Sequence, residues 1–416
     1  MVHQATQLHD VTLPNGLRVV VDPMPWLATA TAVLQLPFGT VGDPEGARGA
    51  ALVLHEWLQR GAGGRDARQQ ADAFDRFGVR RGGGCGRETA TLSAAFLAQD
   101  VADVLPLLAD ALRAPALANA EFEGARALAL QELAGLDDAP AQRLGESVVR
   151  ARYASVHGRS AYGDRVELEA LTPQALRTDG QARLGPAGAV LALAGGGDPE
   201  RLLEVAASAF GGWAGATRPH PKPEVRPAHR SHVDGPGAQT QIGVTDDAVA
   251  PGADGWTEQA LAMAVLSGAM GARLPTEVRE RRGLVYTVAS SVRSVRGDAY
   301  RFTYASTTPE RAAETLEVVV RELDRWRSGV EGDELERART LLRSNLVMQA
   351  ESTGGRASRL AADVEAFGRP RTVREVEAAL EGTDLEAVNA FLAARPELEP
   401  TIVTSGPVPR AWEAVA

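Results

Sequence analysis

Apolar and polar positions along this chain fall into blocks whose period switches between that of a strand and that of a helix. Leu17 to Asp22 is valine-rich and follows the turn signal Pro14-Asn15-Gly16, which predicts a strand; Thr31 to Leu36 predicts a second. Gly46 to Gln59 predicts the first helix, with Ala50, Leu52, Val53, Leu54, Trp57 and Leu58 as its apolar positions. Thr89 to Phe96 returns to strand, Val101 to Leu112 is a leucine-spaced helix, and a longer helix runs from the cap Asn119 to Gly135. Thr172-Pro173 opens another helix, with threonine as cap and proline in the first turn. Ala189 to Ala194 is a strand whose turn, Gly195-Gly196-Gly197-Asp198-Pro199, feeds the next helix.

From Thr217 to Pro236 the pattern lapses, with prolines at 219, 221, 223, 227 and 236, and a linker over 216–236 is predicted. Beyond it the element order repeats. Thr240 to Thr245 reads as strand, Glu258 to Met270 as helix, Val285 to Val292 and Tyr300 to Ser306 as strands, and Pro309 to Arg327 and Asp333 to Glu351 as helices. Phe122-Glu-Gly-Ala-Arg-Ala-Leu128 lies over Leu335-Glu-Arg-Ala-Arg-Thr-Leu341 with four of seven positions identical, each segment near the start of a long helix. The expectation is α+β: two homologous halves, each a mostly antiparallel sheet packed with helices, with domains at 1–215 and 237–416.

Composition narrows the function classes. The 416 residues carry 44 Lys and Arg against 54 Asp and Glu, a net charge of −10. That balance argues against nucleic acid as a partner and mildly favours basic peptides. The single cysteine, Cys85, excludes an internal disulfide and a thiolate zinc cluster. No apolar run is long enough to span a bilayer, and Met1 to Asp10 lacks the apolar segment of a signal peptide, so no membrane association and a cytoplasmic location are expected.

The informative stretch of the first half is Phe38-Gly-Thr-Val-Gly-Asp-Pro-Glu-Gly-Ala-Arg-Gly49, a Gly-rich loop leading into the helix that ends at Gln59. This arrangement resembles the pitrilysin/insulinase family of zinc peptidases, in which such a loop precedes a helix carrying H-x-x-E-H. Two histidines four apart on one helical face bind zinc there, and the glutamate activates the metal-bound water. The corresponding positions here read Leu52-Val53-Leu54-His55-Glu56: both histidine positions are replaced, and the base position holds His55. Shifting the frame to His55-Glu56 puts Gln59 where H-E-x-x-H needs its second histidine. The resemblance implies a third ligand on a later helix, where Glu132 falls; on residue pattern alone Glu132 is equally a surface glutamate. A rearranged His55/Glu56/Glu132 site stays open as an alternative, against a buried polar network or a solvated helix face.

In the second half, Arg273-Leu-Pro-Thr-Glu-Val-Arg279-Glu-Arg-Arg-Gly-Leu-Val-Tyr286, preceded by Gly268-Ala-Met-Gly271, resembles the family segment ending in R-E-x-x-G-L-x-Y. The resemblance assigns Arg279 and Tyr286 to substrate binding. A guanidinium fork suits a carbonyl or carboxylate, and a tyrosine hydroxyl can donate to an oxyanion. In the smaller bacterial members, which resemble mitochondrial processing peptidase, two chains of this size pair and one brings the zinc. The resemblance therefore implies a noncatalytic, substrate-binding subunit of a heterodimeric metallopeptidase. It would have no catalytic residue or metal of its own, a peptide substrate, and a homologous partner with intact H-x-x-E-H and zinc. The alternatives are a peptide-binding or structural homologue acting without a peptidase, and a peptidase with a rearranged site.

Arg80-Arg-Gly-Gly-Gly-Cys-Gly-Arg87 reads most simply as a glycine-rich turn. The resemblance instead sets it on a strand lining the cleft, with the Asn-Ala pair of catalytic members missing. Cys85 has no nearby histidine and reads as inert, and His220, His229 and His232 read as solvated linker residues.

Overall fold

The computed structural model describes residues 7–407, so part of the opening stretch Met1 to Asp10 lies outside the described residues. The first half runs β1 (His9–Thr12), β2 (Arg18–Pro23), β3 (Thr29–Leu36), α1 (Ala50–Leu58), α2 (Ala67–Asp75), β4 (Arg80–Cys85) and β5 (Ala90–Leu97). It continues with α3 (Val101–Arg113), α4 (Asn119–Gly135), α5 (Pro140–Arg152), α6 (Arg165–Ala170), α7 (Pro173–Gln181), β6 (Val190–Gly195) and α8 (Pro199–Phe210). The second half runs β7 (Arg230–Asp234), β8 (Thr240–Asp247), α9 (Trp256–Ser267), a π-helical turn Pro275–Arg281, β9 (Thr287–Val295) and β10 (Asp298–Thr307). It closes with α10 (Ala312–Arg327), α11 (Gly332–Ala350), α12 (Thr353–Phe367), α13 (Val373–Gly382), α14 (Leu385–Ala393) and β11 (Thr401–Gly406).

One unit is built on a six-stranded sheet in the order β1-β2-β6-β3-β5-β4, with β2 and β6 parallel and every other pair antiparallel. Its central strands β2, β3 and β6 are buried on both faces, and alternate residues serve two different cores. Val19, Val21, Leu34, Leu36, Leu191 and Leu193 pack beneath α1, α3 and α8. Their neighbours Val20, Val33, Val190, Ala192 and Ala194 pack against Ala357, Leu360, Ala361 and Val364 of α12. Those four helical residues follow the i, i+3, i+4, i+7 spacing of an amphipathic helix. A buried ion pair fixes α12 to the sheet: Arg356 Nη1 lies 3.2 and 3.1 Å from the two Asp22 oxygens, while its Nε donates to the Ala350 carbonyl.

The other unit repeats the plan with one strand fewer. Its sheet order is β7-β11-β8-β10-β9, with β7 and β11 parallel and the rest antiparallel. Ile242, Val244, Ala305 and Ile402 face α9 and α10. Tyr300, Phe302 and Val403 face Leu144, Val148 and Val149 of α5. Gly243 makes that approach possible, since a Cβ there would stand 2.8 Å from Val148 Cγ2 and 3.2 Å from Phe302 Cε2. At the end of α5 the buried Arg152 pairs with Asp298 at 2.9 Å, and the Tyr153 hydroxyl donates to the same carboxylate at 2.6 Å.

The fold is thus α+β with two related, mostly antiparallel halves, as the element pattern predicts. Phe122 and Leu335 are each the fourth residue of their helix, α4 and α11, and both are buried, as are Ala125 and Ala338 three residues on. The predicted domain boundaries need correction. Of the described residues, 7–134, 160–221 and 348–372 form one unit and 135–159, 222–347 and 373–407 the other. The second face of each sheet needs an apolar cover, and the segment that supplies it comes from the other half of the sequence. The predicted linker is corrected too: Arg230–Asp234 within it is strand β7, where His232 Nδ1 lies 2.9 Å from Thr404 Oγ1. Among the described residues no helix is long and apolar enough to cross a membrane.

Two outcomes follow from the covering helices. Gly243→Ala overpacks the α5 seat and lowers unfolding stability by about 1–3 kcal/mol, read by urea denaturation. Asp22→Ala leaves Arg356 buried without its partner and costs about 3–5 kcal/mol, whereas the double change Asp22→Ala/Arg356→Met recovers most of the loss. Equal losses for the single and double variants would show that the ion pair is not what holds α12.

Candidate functional site

Helix α1 carries the positions at which the sequence pattern departs from a zinc site. Leu52 is buried and belongs to the apolar core under the sheet, so this turn of the helix is used for packing. His55 is buried as well, and its Nε2 lies 2.9 Å from the Thr91 carbonyl of β5. A carbonyl only accepts, so Nε2 carries the proton and has no lone pair for a metal. The other ring nitrogen, Nδ1, is 3.8 Å from Glu56 Oε1, and the ring holds the half-exposed Glu56 carboxyl below the usual carboxylate range. Glu132 is exposed on α4. No group of three His, Cys, Asp or Glu side chains that could hold a metal ion occurs among the described residues. A leucine, a glutamate and a histidine engaged with backbone do not fit the zinc of the H-x-x-E-H arrangement.

The start of α1 is held by a buried charge network that the sequence pattern did not disclose. Asp43 accepts from the backbone amides of Gly49 at 2.7 Å and Ala51 at 2.9 Å, and from Arg183 Nη1 at 3.1 Å. Both side chains of this ion pair are essentially inaccessible. Burial pushes the Asp43 carboxyl up to about 6 against the pull of Arg183 and the two amides. Arg183 also pairs with Asp179, which Arg218 reaches at 3.1 Å while donating to the Gly42 carbonyl at 2.6 Å. The Gly-rich loop and the first turn of α1 are therefore fixed by charges from distant positions in the sequence.

Arg80–Cys85 is strand β4, at the edge of its sheet and paired with β5 from Arg80↔Ala95 to Cys85↔Ala90. The reading of this stretch as a turn is corrected: glycines with extended backbone pair as well as other residues, and β5 supplies the template. Burial, followed by the nearby Asp43 charge, pushes the Cys85 thiol up, away from the thiolate form.

In the second unit the structure brings Arg279 and Tyr286 together. Arg279 sits on the π-helical turn, and Tyr286 immediately precedes β9. The guanidinium carbon lies 5.3 Å from the centre of the tyrosine ring, a cation–π contact. Its Nη1 is 3.7 Å from Met270 Sδ and its Nε 3.4 Å from Glu280 Oε1. The Tyr286 side chain is 79% exposed, and Arg279 is partly exposed beside it. Buried Leu274, Val278 and Leu284 anchor the turn, so the exposed pair stands on a rigid base. Single-turn π geometry of this kind recurs at binding sites because the wider turn redirects a side chain.

Both halves of the chain resemble known proteins. The profile of Insulinase (Peptidase family M16) matches residues 18–164, and that of the Peptidase M16 inactive domain matches residues 170–342. An uncharacterized zinc protease of Mycobacterium tuberculosis is 28% identical over 400 residues, covering 91% of this chain and 88% of its own. One from Streptomyces coelicolor is 26% identical over 411 residues, covering 95% and 90%. Among solved structures, a peptidase M16 inactive domain from Pseudomonas fluorescens superposes with TM-score 0.87 at 20% identity, covering 97% of this chain and 98% of that one. A protease from Helicobacter pylori gives TM-score 0.86 at 15% identity, covering 97% and 100%. With both halves matched in order by profiles of one peptidase group, the chain belongs to the pitrilysin/insulinase (M16) family.

Proposed function

We propose that this protein is a noncatalytic, peptide-binding subunit of a heterodimeric zinc metallopeptidase, paired with a homologue that carries an intact H-x-x-E-H. One contrast carries the reading. Helix α1 offers Leu52, a backbone-bonded His55 and Glu56 where zinc ligands and a base would stand, while Arg279 and Tyr286 are assembled and exposed. A chain with this division can hold a peptide but has no group set to activate water. The zinc belongs to the partner in this reading, and the substrate is a peptide in extended form.

Within such a complex Arg279 grips a backbone carbonyl or carboxylate of the peptide through its fork of donors. Tyr286 donates its hydroxyl to the oxyanion that forms when the partner's water attacks. The cation–π contact and Met270 keep the guanidinium in place, which lowers the entropy lost on binding.

Mixing the full chain with a family member carrying the intact motif raises cleavage of a fluorogenic peptide library above that of the homologue alone. Arg279→Ala abolishes the gain, and Tyr286→Phe reduces it about 10²-fold, the scale of one preorganised oxyanion donor. Absence of both complex and gain would sink the heterodimer. A metal titration gives a separate check: the chain incubated with zinc and desalted retains far less than one equivalent, and His55→Ala changes nothing. Stoichiometric zinc lost in His55→Ala would instead establish a rearranged site.

A further inference from the structure

Strand β4 ends its sheet, and Arg80 through Gly84 are all exposed along it. Three consecutive glycines, Gly82, Gly83 and Gly84, leave the strand bare of side chains. Gly83 holds φ +139°, and a Cβ there would stand 2.0 Å from the Thr91 carbonyl, so the position admits only glycine. Arg81 is paired with Ala94, whose buried side chain faces the same core as α1, so its own side chain leaves on that face too. There its guanidinium carbon lies 5.0 Å from the centre of the buried Phe74 ring of α2. Gln59 just after α1, Gln70 of α2 and Ser93 of β5 line the small cavity beside it. Among the described residues neither Arg80 nor Arg81 has a carboxylate partner, although most arginines around the two cores do.

The two units share a spacing here. Phe74 and Arg81 are seven residues apart, as are Arg279 and Tyr286; the first pair joins α2 to the edge strand β4, and the second joins the π-helical turn to the residue just before the edge strand β9. The roles are exchanged: in one unit the helical residue is the ring and the later residue the cation, in the other the reverse. A guanidinium held beside a ring by a cation–π contact keeps N–H donors that can take a carboxylate by two parallel hydrogen bonds.

We propose that Arg81 is a specificity determinant that reads an acidic side chain of an extended peptide laid along the free edge of β4. The proposal rests on the peptide-binding reading above and adds to it a substrate class, which runs against the basic peptides that the net charge of −10 by itself favours. Main-chain hydrogen bonds to an edge strand supply affinity without regard to sequence, and side chains on alternate positions supply the choice. The bare glycines let a peptide backbone approach, and the peptide residue beside Arg81 on the same face comes within about 5 Å, close enough for a carboxylate to meet the guanidinium. The competing role for arginines on an exposed edge is to block pairing with a second copy of the chain.

The test uses the full chain and fluorescein-labelled extended peptides of one sequence, in which a single Glu or Gln is moved along successive positions. Fluorescence anisotropy at low and high salt reads the affinity. In one register Glu binds about three- to tenfold more tightly than Gln, the range of an exposed bidentate pair, and added salt erodes the difference. Arg81→Gln removes the preference and leaves the Gln peptide's affinity unchanged, while Arg81→Lys keeps only part of it. Measurable binding with no difference between Glu and Gln overturns this proposal alone, as does a preference that survives Arg81→Gln. Absence of binding by every peptide overturns the peptide-binding reading and this proposal with it. If Arg81→Gln self-associates in sedimentation analysis while peptide affinities stay as they were, the arginine guards the edge and the proposal fails.

Discussion

A sheet that is apolar on both faces needs two covers, and this requirement organises the whole chain. In the first unit Val20, Val33, Val190, Ala192 and Ala194 form the second face, and α12 covers it. In the second unit Tyr300, Phe302 and Val403 form that face, and α5 covers it. Each fully buried large aliphatic side chain contributes about 1.5–3 kcal/mol, so an uncovered face would forfeit much of the stability of a unit. It would also expose a patch prone to association. Because each cover is taken from the other half of the sequence, neither unit corresponds to a continuous stretch of chain. The buried Asp22–Arg356 pair and the close approach at Gly243 are local consequences of seating those two helices.

The same plan serves two different ends in the two units. The parallel pair β2/β6 recurs as β7/β11, and Phe122 of α4 recurs as Leu335 of α11. On that common frame the helix after β3 buries Leu52 in the core, and its His55 is tied to the Thr91 carbonyl. The turn before β9 has instead widened into π geometry and presents Arg279 against Tyr286.

Some of what local patterning left unread was nonetheless present in it. Ala357, Leu360, Ala361 and Val364 have helical spacing, as do Leu144 and Val148, yet short apolar stripes rich in alanine do not stand out beside charged neighbours. The glycine run of β4 has no side-chain pattern at all, and only its pairing with β5 makes it a strand. The Asp43–Arg183 pair joins positions 140 residues apart, and no local signal could connect them.

The sequence by itself determined most strands and long helices, the repetition of the two halves, the run Leu52-Val53-Leu54-His55-Glu56 on the first helix, and the seven-residue interval between Arg279 and Tyr286. These depend on period and spacing within one element or between neighbours, which a linear chain displays directly. The tertiary structure decided which helix covers which sheet face, that His55 is bonded to a backbone carbonyl, and that Arg279 stacks on Tyr286 while Arg81 stacks on Phe74. The covers and the His55 bond depend on burial shared between segments apart in the chain, and the two cation–π contacts on the direction each side chain takes from its backbone. Neither is encoded in hydrophobic pattern alone, because many helices of similar amphipathicity could satisfy the same exposed face.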